Sequence, residues 1–308
     1  MTAYGVFMAE ELRSQPESWA RTLELDVPTS ALPQDGERIA VVGCGSSWFG
    51  GQTYASLRES SGKGETDAFT ASEFPLHRDY DRIIAISRSG TTTEVTDMLT
   101  RLGGRIPVTA VVGGADTPIA EAADEVISLD FADEKSVVQT RFATSAIFAM
   151  RSWLADEAEL RAAVADAQHV LDGISVDFIE FDAAILDDEL IDAEQISFLG
   201  RGWTWGLANE AALKLRESAQ AWTEAYSSME YRHGPIAIAA PGRVTWQFGA
   251  APEGLAEQVK ATGARFEHAD RDPLAELVRL HALALIKARR TGVDPDSPRS
   301  LTRAVILG

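Results

Sequence analysis

Short apolar runs alternate along the chain with longer stretches whose apolar positions recur at helical spacing. RIAVVG (38–43) ends in a glycine turn and is followed by a helical pattern through Arg58. IIAIS (83–87) precedes the helix-like TTEVTDMLTRL (92–102). VTAVVG (108–113) and EVISLD (125–130) complete the series, with Pro107 and Gly113 as punctuation. These strand-length runs are apolar on both faces, which predicts a parallel sheet covered by helices. From Glu134 to about Asp192 the pattern is mostly helical, broken at Gly173. ISFLGRG (196–202) restarts the scheme, and GRVTWQFG (242–249) reads as its next strand. LAELVRLHALALIKARR (274–290) reads as a late amphipathic helix.

The two starts match each other. VVGCGSSWFGGQTYASLRE (41–59) and FLGRGWTWGLANEAALKLRE (198–217) share a strand, a G-x-G, a following tryptophan (Trp48, Trp205) and a terminal L-R-E, with a one-residue slip. Two copies of one α/β unit explain this. The expected fold is α/β, with two three-layer αβα units, each a doubly wound, mainly parallel sheet flanked by helices. The expected boundaries are an N-terminal unit at 1–155, a helical connection at 156–192, and a C-terminal unit with its tail at 193–308.

Composition narrows the partners. The 308 residues are 45% hydrophobic and 24% charged, enough to bury a substantial core. A formal net charge of −19 argues against nucleic acid and anionic membrane. An anionic substrate therefore needs a local site that overcomes the global field. Cys44 is the sole cysteine, so an intrachain disulfide and a Cys-based zinc site are excluded. No cluster has metal-ligand spacing, and no metal or cofactor is expected. No apolar run approaches the roughly 18 residues of a membrane span. The opening MTAYGVFMAEELRSQPESW lacks the pattern of a signal peptide, so a cytoplasmic protein is expected.

Chemistry gathers at two strand ends. SRSGTTTE (87–94) places Ser87, Ser89, Thr91, Thr92 and Thr93 around Gly90, where a following helix points its N-terminus. Unpaired N–H groups and a partial positive charge suit that place to phosphate. Arg88 adds a fork-shaped cation. CGSS (44–47) follows the first strand in the same way and offers Ser46 and Ser47. Helix capping is the competing explanation, since Thr91 and Glu94 have capping-box spacing. Neither loop is a P-loop, and Trp48 stands where a dinucleotide fingerprint needs its third glycine.

Taken in order, the motifs resemble the sugar isomerase (SIS) family, specifically the isomerase half of glucosamine-6-phosphate synthase and its stand-alone relatives. FMAEELRSQP (7–16) is similar to the opening helix of that half, CGSS to its first phosphate turn, ASEF (71–74) to its second strand and SRSGTT to its serine-rich phosphate loop. FLGRG, EAALKLRE, TEAYSSMEYRHGP and DPDSPRSLTRAVIL follow in family order. The resemblance implies that Ser47, Ser87, Arg88, Ser89 and Thr92 hold a sugar phosphate, with Ser46 beside them. It implies Glu217 as the base between C1 and C2. It implies His233 as the ring-opening residue, reaching a neighbouring subunit's site in a homodimer. Gln139 and Arg303 are further candidates for substrate contact. The sequence departs from the family in several places. No glutaminase segment with a cysteine nucleophile is expected, Arg88 and Thr91 replace a usual Gln and Glu, and Arg141 and Arg303 replace lysines. A guanidinium does not form a Schiff base, so imine chemistry at Arg303 is not expected.

Read without the resemblance, Glu210, Lys214 and Glu217 share one helix face, the spacing of a solvated salt-bridge ladder. Aldose–ketose chemistry needs a carboxylate that shuttles a proton between adjacent carbons, and a histidine suits ring opening. His233 lies in a turn, RHGP, whereas His77, His169, His268 and His281 read as incidental. Glu224 and Glu230 flank that turn. Cys44 reads as a small buried hydrophobe, and the tryptophans as packing. The expected activity is deamination and isomerisation of an amino-sugar 6-phosphate to a ketose phosphate. Plain aldose–ketose isomerisation, deglycation of an amine-linked sugar phosphate, and a non-catalytic sugar-phosphate sensor are the alternatives.

Overall fold

The first five strands are β1 (Ile39–Gly43), β2 (Thr66–Thr70), β3 (Arg82–Ser87), β4 (Val108–Val112) and β5 (Glu125–Ser128). They form one parallel sheet in the order β2-β1-β3-β4-β5. Because side chains alternate across a strand, the apolar runs feed two cores at once. Ala40, Val42, Ile83, Ala85, Ala110 and Val112 pack with Val95, Met98, Leu99 and Leu102 of the helix Thr93–Leu102. The intervening Ile39, Val41, Ile84, Ile86 and Val111 pack with Tyr54 of the helix Ser46–Ser60 and with Phe142, Ala146 and Met150 of the helix Arg141–Ser152.

The remaining strands are β6 (Gln195–Gly200), β7 (Trp222–Ser227), β8 (Arg243–Gln247) and β9 (Arg265–His268). They form a second parallel sheet, ordered β7-β6-β8-β9. In each sheet the first strand lies between the second and third, and the fourth lies beyond the third. The α/β fold with parallel sheets flanked by helices is thus as expected, and the shared strand order supports duplication. Gly43 and Gly200 occupy matching strand ends. A Cβ would stand 2.6 Å from Ser47 Cβ at the first and 2.2 Å from the Thr204 carbonyl oxygen at the second. Both ends need glycine because the chain turns straight back into a helix.

The protein is described by a computed structural model over residues 4–175 and 177–307. It divides into two compact units. The five-stranded unit takes Glu17–Glu134, Arg141–Leu160 and Thr302–Gly308. The four-stranded unit takes Met1–Pro16, Lys135–Thr140 and Arg161–Leu301. In the four-stranded unit the buried Glu11 carboxylate accepts hydrogen bonds from the Ser136 N–H (3.1 Å) and hydroxyl (2.5 Å), fixing the 135–140 segment to the helix Val6–Arg13.

Three element readings are corrected. The second strand is TDAFT, and Ala71–Glu73 forms a single 3-10 turn. Its ladder partner β1 ends at Gly43, paired with Thr70, so ASEF has nothing to pair with. GRVTWQ is not the strand that follows β6 in the chain, because WTEAYS intervenes as β7; in space β8 does lie beside β6. The last helix, Pro273–Thr291, is not amphipathic: apart from Lys287, its residues from Leu274 to Ala288 are all buried, including Glu276, Arg279 and His281. Arg279 there is paired to Glu276 (2.7 Å) and to Glu267 of β9 (2.6 Å).

Candidate functional site

In the five-stranded unit the order β2-β1-β3 puts the topological switch between β1 and β3, the place where ligands collect in such sheets. Both hydroxyl-rich turns leave from these two neighbouring strands. After β1 the chain passes Gly45 (φ 55) directly into the helix Ser46–Ser60, and Ser46 and Ser47 are buried in its first turn.

After β3 the loop organises itself. The Ser87 hydroxyl accepts from the Gly90 N–H (3.1 Å) and lies 3.3 Å from the Thr92 hydroxyl, and the Ser89 hydroxyl accepts from the Thr91 N–H (3.2 Å). Gly90 has φ 64, and a Cβ there would lie 2.2 Å from Thr117 Oγ1. Only glycine fits such a backbone under such a neighbour. The N-cap of the helix is Thr92, which makes no side-chain capping bond. The capping box suggested by Thr91 and Glu94 is absent.

Arg88 is 3% exposed. Its guanidinium lies 3.9 Å from the buried Glu134 carboxylate and donates to the Arg303 carbonyl at 2.9 Å. Glu134 in turn accepts from the N–H groups of Arg141 (2.7 Å) and Phe142 (3.1 Å), at the start of the helix Arg141–Ser152. The chain from 302 to 307 therefore runs over the hydroxyl loop. Thr93 N–H donates to the Val305 carbonyl (3.2 Å), Leu307 N–H donates to the Thr93 hydroxyl (3.0 Å), and the Arg303 guanidinium pairs with Asp133. Neither Asp133 nor Glu134 was singled out by the sequence; only their place seven and eight residues before the helix at Arg141 hinted at them.

In the four-stranded unit the corresponding switch, between β6 and β8, carries no such cradle. The Thr204 hydroxyl is spent on the Phe248 carbonyl (3.0 Å) and the Arg201 N–H (2.9 Å), and FGAAPEG after β8 has no hydroxyl at all. The chemistry of this unit gathers on the helix Thr204–Ala219 instead. Glu210 and Lys214 are 0% and 1% exposed, so the solvated ladder expected from their spacing is in fact buried. Lys214 Nζ lies 3.5 Å from Glu210 Oε1 and 2.5 Å from Glu217 Oε2. Burying charges this way costs desolvation, which the close pairing offsets. Glu217 alone of the three is partly exposed, and it lines a cavity of about 350 Å3 with Arg216, Gln220, Ala221, Pro298, Arg299 and Leu301.

His233 ends the 3-10 turn Glu230–His233, just before Gly234 (φ 143) and Pro235. Its ring is exposed and has no hydrogen-bond partner among the described residues. Glu224 accepts from the Tyr226 hydroxyl (3.1 Å), and no hydrogen bond joins it to His233. Gln139 is half-buried, and its carbonyl oxygen is without a hydrogen-bond partner among the described residues. Of the other histidines, His77 and His169 are exposed, His268 meets the Gly249 carbonyl (3.0 Å), and His281 is fully buried. Burial pushes the Cys44 thiol up, and it packs against the core. Trp48 is half-buried and Trp205 is 42% exposed, so the two repeat positions do not share one packing role. Among the described residues no group of three His, Cys, Asp or Glu side chains could hold a metal ion, and no helix is long and apolar enough to cross a membrane.

The glutamine–fructose-6-phosphate aminotransferase of Symbiobacterium thermophilum is 27% identical over 99% of this chain. The chain spans 59% of that relative's length. The fold matches glucosamine-6-phosphate deaminase of Thermotoga maritima, with a TM-score of 0.80, 23% identity, and coverage of 97% of this chain and 99% of that one. In sequence and in fold, the chain resembles the sugar isomerase (SIS) family. A second structure with this SIS fold is tagatose-6-phosphate ketose/aldose isomerase of Escherichia coli, with a TM-score of 0.76, 17% identity, and coverage of 99% and 96%. No family model matches the chain. The SIS candidates fall into two groups. Ser46, Ser47, Ser87, Arg88, Ser89, Thr92 and Arg303 lie in the five-stranded unit, whereas Gln139, Glu217 and His233 lie in the four-stranded one.

Proposed function

We propose that the chain is a phosphosugar-processing enzyme that converts an amino-sugar 6-phosphate to a ketose 6-phosphate by proton transfer between C1 and C2 and loss of ammonia. The observation that carries this reading is the ladder at Glu217. A carboxylate that opens to a cavity is backed by a buried ammonium at 2.5 Å, with a second, fully buried carboxylate on the same face. Such an arrangement holds the Glu217 carboxylate in place beside the cavity, as a base must be.

In this reading the hydroxyls and N–H groups of the two turns are the phosphate-binding groups. His233, supplied by a neighbouring subunit, moves the anomeric hydroxyl proton to the ring oxygen and opens the ring. Its exposed, unpartnered ring supports that placement. Glu217 takes the C2 proton of the open-chain amino aldose and returns it to C1. The C2 imine that results adds one water and releases one ammonia, leaving the ketose phosphate with no net redox change. Arg303 offers a guanidinium in place of an amine, so no covalent sugar–enzyme imine forms there. The fold match to a glucosamine-6-phosphate deaminase supports deamination. The match to a tagatose-6-phosphate isomerase favours a second reading, plain aldose–ketose isomerisation by the same Glu217 shuttle.

The deciding experiment assays ammonia and ketose phosphate in parallel, over a panel of amino-sugar, amine-linked and plain sugar 6-phosphates. Ammonia with ketose phosphate from amino sugars supports the proposal. Ketose from plain sugars alone makes the protein an isomerase, and release of an amine other than ammonia makes it a deglycase. Binding without turnover makes it a sensor.

A further inference from the structure

Removing a proton from C2 leaves an electron pair behind, and a carboxylate base cannot stabilise the negative charge that results. The cavity beside Glu217 holds groups that can. Arg216 and Arg299 both line its wall, the first from the helix Thr204–Ala219 and the second from the segment after the helix Pro273–Thr291. The chain as a whole carries a net charge of −19, yet this cavity of about 350 Å3 sets two guanidinium groups beside one carboxylate. Arg216 is tied down through Nη1, which donates to the Thr223 carbonyl (3.2 Å), while its Nη2 makes no hydrogen bond among the described residues. Arg299 is exposed and makes no hydrogen bond or ion pair among the described residues.

The backbone of the same wall is held in a conformation that side chains seldom adopt. Among the described residues three that are not glycine have φ in the left-handed region: Phe178, Gln220 and Ser300. Gln220 (φ 54) lines the cavity at the end of the helix that carries Arg216 and Glu217, and Ser300 (φ 62) sits between the lining residues Arg299 and Leu301. Such conformations are uncommon away from glycine and concentrate where side chains are held for a task.

We propose that Arg299, together with Arg216, stabilises the enolate formed when Glu217 takes the C2 proton. The proposal rests on the reading of Glu217 as the base. As the C2–H bond breaks, an O–H bond forms on the Glu217 carboxyl, the freed pair makes the C1–C2 double bond, and the negative charge moves to the C1 oxygen. A guanidinium meets that oxygen with two fixed N–H donors and stays protonated throughout. Glu217 then returns its proton to C1, the C1 oxygen takes a proton from water, and the lone pair of the C2 nitrogen closes the C2 imine. One carbon is oxidised as its neighbour is reduced, so no outside oxidant or reductant enters. The species this cavity recognises is therefore a planar, enediolate-like anion in preference to the neutral sugar carbons before and after it.

The test compares two ligands in wild type and in Arg299→Met, by calorimetric titration. One ligand is a ketose 6-phosphate; the other is an aldonohydroxamate phosphate, whose planar hydroxamate imitates the enediolate. Arg299→Met should bind the hydroxamate about thirty-fold more weakly and the ketose phosphate within about three-fold of wild type, with an unchanged melting temperature. Its kcat should fall about a hundred-fold with KM within about three-fold, and Arg299→Lys, which keeps a cation, should recover part of both losses. Equal losses for the two ligands, no loss for the hydroxamate, or wild-type kcat in Arg299→Met would overturn the proposal. Full turnover by Glu217→Gln would instead overturn the reading of the base. The hydroxamate-to-ketose affinity ratio is read without turnover, so it still decides whether Arg299 recognises the charged, planar species.

Discussion

The Arg88 guanidinium donates a hydrogen bond of 2.9 Å to the main-chain carbonyl of Arg303, joining the hydroxyl loop to a chain segment 215 residues later in sequence. The two arginines that the family resemblance reads as replacing a glutamine and a lysine thus meet. Arg88 is therefore a strut for the 302–307 segment as well as a candidate phosphate ligand.

Replacing Arg88 with alanine removes that bond and a cation 3.9 Å from Glu134. The expected cost is about 1–3 kcal/mol. Hydrogen exchange at the Thr93 and Leu307 amides, both tied to this segment, should accelerate. Unchanged exchange at both would show that Arg88 does not hold the segment down.

Ser89→Ala should weaken sugar-phosphate binding about ten-fold, the loss of one hydrogen bond to a charged group. Gly90→Ala should do more damage, about 2 kcal/mol or more of stability, because a Cβ at φ 64 would strike Thr117. Calorimetric titration with a sugar phosphate, with melting curves beside it, separates the two effects. Equal binding by wild type and Ser89→Ala would remove the loop from the phosphate site.

Glu217→Gln keeps the shape of the cavity wall but cannot take up a proton. Turnover should fall about a hundred-fold or more while sugar-phosphate binding survives. Turnover within a few-fold of wild type would move the base elsewhere.

If His233 serves a neighbouring subunit, a Glu217→Gln chain and a His233→Ala chain complement each other. After unfolding and refolding together, an equal mixture should recover about a quarter of wild-type activity, from mixed dimers with one intact site. No recovery would place both residues in the site of their own chain.

The Cys44 thiol, pushed up by burial, is mostly protonated at neutral pH. Because the thiolate is the reactive form, its alkylation should be slower than that of a small free thiol. The rate should rise steeply only as pH passes above the ordinary thiol range. Fast alkylation at neutral pH would mean an exposed or activated cysteine.

The sequence made the interior strands plain because β1, β3, β4 and β6 are apolar on both faces. The edge strand β7 was hidden for the opposite reason. WTEAYS has one buried residue, Thr223, and an exposed tryptophan at its start, so no periodicity marks it. β2 was displaced by one motif length because its polar half-buried residues resemble a turn, and only the register with β1 fixes where it stops. The helix Pro273–Thr291 misled in a different way. Arg279 and Glu276 read as a solvent face, and only the tertiary partners Glu267 and Trp246 make their burial possible. At the candidate site, the hydroxyls and the spacing of Glu210, Lys214 and Glu217 were legible, because both depend on local sequence. Their burial was not, nor was the Arg88–Arg303 bond, since these depend on residues far away in the chain.

The division of the chain into units has a consequence for how the duplicated halves can be separated. Each unit is assembled from three stretches of sequence, the five-stranded unit borrowing one short piece from beyond its own half and the four-stranded unit two. A fragment ending near residue 160 would lack the 302–307 ribbon that occupies the Thr93 amide. A fragment beginning there would lack Glu11 and the 135–140 segment that it anchors, and Gln15, the partner of His281. The duplication has thus become irreversible in the practical sense. No single cut yields two self-sufficient halves, and a working half could be recovered only by grafting its missing piece back on or by supplying it as a separate peptide.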